Sequence, residues 1–323
     1  MPPLYCDGSA KVTVSNLSAK QFLLNYLCSG FLTVYMKVGF VNIFGKPNAG
    51  KSTLLNALIG EKLAIVSPKV QTTRHRIKGF LNTDEYQVIF SDTPGIIEPK
   101  YKLHEKMMQS VKSGLEDADL ALLLVDVNDN LEEADAVFSG LKLKVPSFVV
   151  VNKIDKVSAK RLEEVTSFFG SKKYCKKLVA ISALKGLHTD VLLQHIIEAL
   201  PEGEPFYDSD DLTDMPTRFF VGEMIRERVF EYFEDEIPYH TAVMVTEFKE
   251  KTGLIKITAE IIVHRETQKA IIIGEKGKMI KQIGTNARQE IEKFLGSKVF
   301  LELFVKVRPK WRDNDLHLKE YGY

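Results

Sequence analysis

"GKPNAGKS", residues Gly45–Ser52, stands between the apolar run "VGFVNIFG" and a stretch of helical character. It fits G-x-x-x-x-G-K-[ST] in the strand–loop–helix setting that this motif requires. Successive backbone N–H groups in such a loop point into one concavity at a helix N-terminus and hold phosphate oxygens. Gly45, Lys46, Pro47, Asn48, Ala49, Gly50, Lys51, Ser52 and Thr53 are therefore candidates to surround a nucleotide. Lys51 is expected to bridge the β and γ phosphates, and the Ser52 hydroxyl to hold Mg²⁺. A chance glycine-rich turn has no reason to carry the lysine, the hydroxyl and the flanking strand and helix together.

Working outward, β-type runs continue from Val38: "YQVIFSD", "LALLLVDV", "SFVVVNKID" and "KLVAISAL", separated by helical stretches. That alternation predicts a mostly parallel sheet with helices on both faces, an α/β domain whose ligand sits at the strand ends. The strand ends carry the remaining signals. In "DTPG", Asp92 is placed to hold Mg²⁺ through a water, and the Gly95 N–H to meet the γ phosphate; Thr93 and Pro94 complete that turn. In "NKID", Asp155 can accept two hydrogen bonds from guanine N1–H and the exocyclic amine, a donor pair that adenine lacks. The Lys153 stem can cover the base, and Asn152 can brace the loop. "SAL" (Ser182, Ala183, Leu184) ends the next run and offers the Ala183 N–H to guanine O6. Between the first loop and "DTPG", "QTTRHR" supplies Thr72 and Thr73. One hydroxyl is expected to complete the Mg²⁺ shell; Thr73 is favoured, and the register is open. A single phosphate loop with this order of elements reads as a GTP-binding domain over residues 36–200.

"PEGEPFYDSDDLTDM" (Pro201–Met215) breaks the pattern with six acids, no Lys or Arg, and two prolines. It reads as a linker over residues 201–216, either solvated or packed as an ordered loop on one domain. Beyond it, "TRFFVGEMIRERVFEYF" has helical spacing, with Phe220, Met224, Val229 and Phe233 near one face. The order that follows is roughly α-β-β-α-α-β over residues 217–323, a small α+β domain. Within it, "IIIGEKGKMIKQIG" (Ile271–Gly284) has no G-K-[ST] and is not a second nucleotide loop. It fits the G-x-x-G clamp of a type II KH domain, which grips single-stranded nucleic-acid backbone. Ile273, Gly274, Glu275, Lys276, Gly277, Lys278, Ile280 and Lys281 are the candidate RNA contacts, with Ile273 and Ile280 lining an apolar groove for bases. Lys269 to Arg312 holds eleven Lys and Arg against four Glu, a charge excess suited to a polyanion. Trp311 is a possible stacking platform, with packing against the domain favoured. Lys306, Arg308, Lys310 and Arg312 either extend the RNA path or face water.

"GKPNAGKSTL", "QTTRHRI", "DTPG", "NKID" and "SAL", followed by a KH-like end, resemble the translation-factor-related GTPases and most closely the Era family. The resemblance covers nearly everything from Met36 onward and departs modestly at Lys46, which phosphate binding does not need. It implies a GTPase of small-subunit ribosome assembly whose second domain binds the 3′ end of small-subunit ribosomal RNA. It further implies a monomer in the cytoplasm, with peripheral association at the inner face of the cell membrane, for which no anchor is visible. Ile96 follows "DTPG" where Ras-type enzymes place a water-orienting glutamine. Hydrolysis is therefore either slow or helped by another group, and relatives make a K⁺ ion at Asn48 the candidate; Asn48 also reads as a turn-former. The catalytic set is then Asn48, Lys51, Thr73 and Gly95.

Composition agrees and excludes little else. The chain has 323 residues, 45% apolar and 27% charged, with a net charge of +1 that hides the local basic cluster. Cys6, Cys28 and Cys175 are odd in number and widely spaced, which argues against a zinc site or disulfide framework. No apolar run reaches the roughly 18 residues of a membrane span. Residues 1–35 fall outside the resemblance and read as a disordered extension or an upstream start, with Met36 as the initiator. The competing readings are an RNA-binding module with negligible hydrolysis, and a GTPase acting on another RNA.

Overall fold

Leu120–Asp126, the run LALLLVD, is apolar up to its last residue because both of its faces are covered. Leu120, Leu122 and Leu124 join one core, and Ala121, Leu123 and Val125 join another on the opposite face. The computed structural model describes residues 35–323. The expectation for residues 1–35 thus lies, Tyr35 apart, outside the described residues. Strands β1 (Met36–Phe44), β2 (Ile77–Asn82), β3 (Tyr86–Asp92), β4 (Leu120–Asp126), β5 (Ser147–Asn152) and β6 (Lys177–Ala180) lie in the order β2-β3-β1-β4-β5-β6. All neighbours are parallel except β2 and β3. Helices α1 (Lys51–Ile59) and α5 (Thr189–Ala199) pack on one face. Helices α2 (Lys102–Glu116), α3 (Leu131–Gly140) and α4 (Ala159–Gly170) pack on the other. Strand order reverses at β1, which opens a crevice at the carboxyl ends of the strands.

The acidic segment is ordered and packed on this domain. Strand β7 (Glu202–Gly203) pairs antiparallel with the start of β1. Gln87 Oε1 accepts the Phe206 N–H at 2.7 Å, and the Phe80 N–H donates to Leu212 O at 2.9 Å. Tyr207 stacks on Phe80, and Lys78 pairs with Asp214 at 2.9 Å. Its acids face solvent while its backbone closes an otherwise open sheet edge.

The second domain contains α6 (Thr217–Tyr232), the short α7 (Ile237–His240), β8 (Ala242–Lys251), β9 (Leu254–Val263), α8 (Glu266–Ile273), α9 (Lys278–Leu295) and β10 (Val299–Val307). Its sheet runs β10-β9-β8, with β9 parallel to β10 and antiparallel to β8. Ile283, Ala287 and Ile291 form a stripe at four-residue spacing on α9 and meet Val221, Ile225 and Val229 of α6 over β9. Helix α6 is buried on more than the face its apolar residues predict: Glu223, Arg226 and Glu227 are buried too. The reason is that its second side lies against the first domain, where Lys62 pairs with Glu227 at 2.6 Å.

The two domains also share an apolar cluster in which Trp311 is fully buried with Leu103 and Met107 of α2. The Trp311 Nε1–H donates to His240 O at 2.9 Å, so its ring is an internal packing element and no platform for a base. Arg312 lies 4.2 Å over the Tyr101 ring at the same junction. A short helix, α10 (Asp315–Glu320), closes the chain. Among the described residues no helix is long and apolar enough to cross a membrane.

His104, in the first turn of α2, is buried at this junction beside the Tyr101 ring. Burial, helped by Arg312, Arg74 and Lys100, lowers its pKa from 6.5 to about 4, and a helix N-terminus further disfavours positive charge. Within that window the unfolded chain takes up a proton that the folded chain refuses. The stability contribution of His104 is complete above the unfolded value and is lost as pH falls toward the folded one. The urea midpoint should fall across this window, and His104→Gln should flatten the slope by about one proton's worth; an unaltered slope in the variant would refute this assignment.

Candidate functional site

The loop Gly45–Ser52 leaves β1 and enters α1 through Gly50, whose φ of +99° is costly for a side-chain-bearing residue. A Cβ there would also lie 2.3 Å from Asn152 Nδ2. Lys51 is buried, and its Nζ donates to Gly45 O at 3.2 Å and Lys46 O at 2.9 Å. Burial pulls its pKa down to about 8, against the opposing pull of Asp92 and Asp129. Three oxygens converge next to it. Ser52 Oγ lies 2.6 Å from Asp92 Oδ2 and 2.7 Å from Thr73 Oγ1, and the Thr73 hydroxyl donates to Asp92 Oδ2 at 3.2 Å. The Thr72 hydroxyl instead donates to Lys69 O at 2.6 Å, so it is Thr73 that meets Ser52 and Asp92 here.

Asp92 Oδ1 is buried without a hydrogen-bond partner, and burial raises this carboxyl to about 6 despite Lys51. Among the described residues no cluster of three His, Cys, Asp or Glu could hold a metal. One carboxylate with two hydroxyls instead suits a hard cation that takes its other ligands from phosphate and water. The donor set therefore fits Mg²⁺.

A cavity of about 420 Å³ opens beside these groups. Pro47, Asn48, Gly50, Lys51, Ser52, Thr53, Thr73, Gly95, Asn152, Lys153, Asp155 and Leu184 line it. Asn48 has a left-handed backbone (φ +64°), as its turn-forming reading expects, and its Nδ2 donates to Pro68 O at 2.8 Å. Lys153 donates to Asn48 O at 2.7 Å and to Asp126 at 2.6 Å, which holds its stem beside the cavity. The Ser182 hydroxyl beside Asp155 holds that exposed carboxyl below its usual range.

Other expected contacts do their work behind the cavity. Lys46 pairs with Glu133, and its carbonyl, like that of Gly45, serves Lys51. Ala49 O accepts from Asn152 Nδ2 at 2.9 Å. Thr93 donates to Ile43 O at 2.7 Å and Pro94 is buried, so both support the turn without reaching the cavity. The Ala183 N–H, assigned from sequence to guanine O6, donates to Asn152 Oδ1 at 3.0 Å. The buried Asn152 carbonyl demands a donor, and the SAL turn provides it. Ile96 packs toward the core beneath α2, and its N–H donates to Gly45 O at 3.1 Å.

In the second domain, α8 ends at Gly274, Glu275–Gly277 form a tight turn, and α9 starts at Lys278. Gly277 has φ +76° with open space where a Cβ would stand. A groove of about 310 Å³ runs on from this turn between α9 and β10, lined by Ile280, Lys281, Gly284, Thr285, Arg288, Leu301 and Leu303. Ile273, expected in the groove, is half-buried and packs against the domain core as Ile280 does, but does not line this groove.

Residues 40–153 match the family described as 50S ribosome-binding GTPase, and residues 236–312 match the KH domain family. The chain is 46% identical over 285 residues to the GTPase Era of Caldanaerobacter subterraneus subsp. tengcongensis, across 87% of this chain and 96% of that protein. This chain belongs to the Era GTPase family. It is 43% identical to the GTPase Era of Alkaliphilus metalliredigens, over 87% of this chain and 97% of that one. Among solved structures, an Aquifex aeolicus Era variant bound to GDP·AlF4⁻ superposes with a TM-score of 0.87 at 43% identity, covering 89% of this chain and 99% of that one. Era in complex with MgGDPNP and nucleotides 1506–1542 of 16S ribosomal RNA gives a TM-score of 0.86 at 44% identity, with the same coverage. As an Era GTPase the chain hydrolyses GTP to GDP and phosphate.

Some cavity residues are absent from the sequence expectations: Ile65, Val66, Ser67, Pro68, Lys69, Gln71 and Lys156. Most belong to the stretch from Gly60 to Arg76, which carries no helix or strand. Such a long structureless connection inside a compact domain was itself the available signal. In the groove, Lys281, Thr285 and Arg288 share a face of α9, so helical spacing continued past Lys281 would have found the latter two.

Proposed function

We propose that the loops at the ends of β1, β3, β5 and β6 hold GTP with Mg²⁺, and that the groove beside Gly274–Gly277 holds the 3′ end of small-subunit ribosomal RNA during small-subunit assembly. The labour divides between residues 36–200, which bind nucleotide, and residues 217–323, which bind RNA. The observation that carries the reading is the meeting of Ser52, Thr73 and Asp92 oxygens within 3.2 Å, beside Lys51 and the cavity. These three residues would hold the metal, which supplies positive charge to the β and γ phosphate oxygens. Lys51 adds a second cation there. Its lowered pKa reflects a desolvated ammonium, for which phosphate is a stronger partner than two carbonyls. Asp155, kept ionised by Ser182, accepts the two guanine donors and so rejects adenine. The Gly95 N–H faces the γ phosphate. Lys276, Lys278, Lys281 and Arg288 supply the charge around the groove, and Ile280, Leu301 and Leu303 its apolar floor. The similar Era complex with 16S ribosomal RNA supports the choice of nucleic acid. The lack of zinc or disulfide cysteine spacing supports action in the reducing cytoplasm.

Ile96 favours slow intrinsic turnover, because a side chain packed into the core cannot orient water. In this reading Asn48 would hold a K⁺ ion, which would supply compensating positive charge near the phosphates.

Crosslinking with RNA sequencing in the GTP-bound state should give a sharp peak at the small-subunit 3′ end; a diffuse messenger or transfer RNA signal would overturn the RNA assignment. Gly277→Asp, which adds negative charge to a left-handed position, should weaken RNA binding by about tenfold or more and leave GTP affinity intact. Loss of both affinities would point to a folding role for the turn. Hydrolysis measured at matched ionic strength should be faster in K⁺ than in Na⁺, and equal rates would remove the ion from Asn48.

A further inference from the structure

We propose that Arg226, a residue of the second domain, is a positioning residue for GTP hydrolysis in the first: it holds Thr73 in place for the metal. The inference rests on the reading of Thr73 as a Mg²⁺ ligand. Arg226 lies on α6 and is 1% exposed. Its Nη2–H donates to Thr72 O at 2.6 Å. The fork is itself fixed, because Glu223, one turn earlier and also buried, accepts the Nε–H at 2.7 Å and a second bond from Nη2. The guanidinium also lies 5.1 Å from the centre of the Phe230 ring.

The Thr72 carbonyl and the Thr73 N–H belong to one rigid peptide plane. Fixing that carbonyl fixes the plane from which Thr73 departs, and with it the direction of a hydroxyl 2.7 Å from Ser52 Oγ. The following residue is held from the same side. Arg74 sends its guanidinium into the second domain, to Thr241 O at 2.7 Å and Pro238 O at 2.9 Å. Upstream, Lys69 donates to Phe230 O and Phe233 O at the end of α6. Ser52 and Asp92 need no such help, since α1 and β3 carry them. Thr73 alone of the three rides on a segment without helix or strand. Its placement is therefore a joint product of both domains, and the loss of Arg226 should be felt selectively by the ligand state that uses Thr73.

The test uses the full chain. Arg226→Met leaves Glu223 buried and unpaired, so a Glu223→Gln/Arg226→Met double variant is made beside it, with thermal melting as the check on folding. In the double variant, affinity for a non-hydrolysable GTP analogue in Mg²⁺, and kcat, should fall about tenfold, the weight of one charged hydrogen bond. GDP affinity should hold, and Arg226→Lys should recover part of the loss. Parallel losses of GDP and analogue affinity, or no loss in a normally melting variant, would overturn the proposal. Thr73→Ala separates the two layers. If it leaves analogue affinity intact, the Thr73 assignment itself fails. If it lowers that affinity and the Arg226 variants do not, only the positioning role fails.

Discussion

One buried amide holds the nucleotide site together. Asn152 gives its Nδ2–H to Ala49 O in the phosphate loop and takes the Ala183 N–H on Oδ1. Three loops from separate strands are thereby tied through a side chain that is 2% exposed. A buried amide with both ends satisfied is worth more than its hydrogen bonds alone, because each unmade bond would leave a desolvated group. Gly50 answers the same constraint: any Cβ there would displace the Asn152 nitrogen. Lys153, next in sequence, then reaches Asn48 O, so the base side and the phosphate side of the cavity share one scaffold.

That scaffold lets the domain tolerate an arrangement that would otherwise be costly. Lys51 and Asp92 are both buried, and burial acts against the charge of each: one pKa falls to about 8 and the other rises to about 6. Their mutual attraction recovers only part of the desolvation cost. Such a pair contributes little to folding but is well matched to a ligand that brings negative phosphates to one member and a cation to the other. The residual unpaired atom, Asp92 Oδ1, marks where the compensation is incomplete.

Most of the fold was legible because it follows from pattern. Doubly buried strands read as unbroken apolar runs, and the phosphate loop dates each following element by its order. What stayed hidden has physical causes. The Ala183 N–H serves Asn152, a contact made across two loops that spacing cannot show. Arg226, distant in sequence, donates to the carbonyl between Thr72 and Thr73, a contact that local spacing does not reveal. Ile273 and Ile280 read alike from sequence, and both are half-buried against the core, but only Ile280 lines the groove. Trp311 offered both a stacking and a packing reading from sequence. The packing reading holds because α2 of the other domain completes its pocket.

Helix α6 is the element on which the two domains meet. One side meets α9, the helix that lines the groove, through Val221, Ile225 and Val229, with Asn286 bonded to Tyr232. The other side receives Lys62, Lys69 and the Thr72 carbonyl from the connection that carries Thr73. Lys62 itself reaches Glu227 on α6 and Glu290 on α9, at 2.6 Å each. Lys69 ends on carbonyls at the α6 C-terminus, which have no partner within the helix. Lys62 and Lys69 make their contacts through their own side chains, whereas Thr72 is held by its backbone carbonyl. Close-packed helices do not absorb shifts gradually: a movement on one side either opens a cavity or carries the neighbour with it. Both sides of α6 are buried, one against the connection that carries Thr73 and the other against the helix that lines the groove, so the two sites share one packed element.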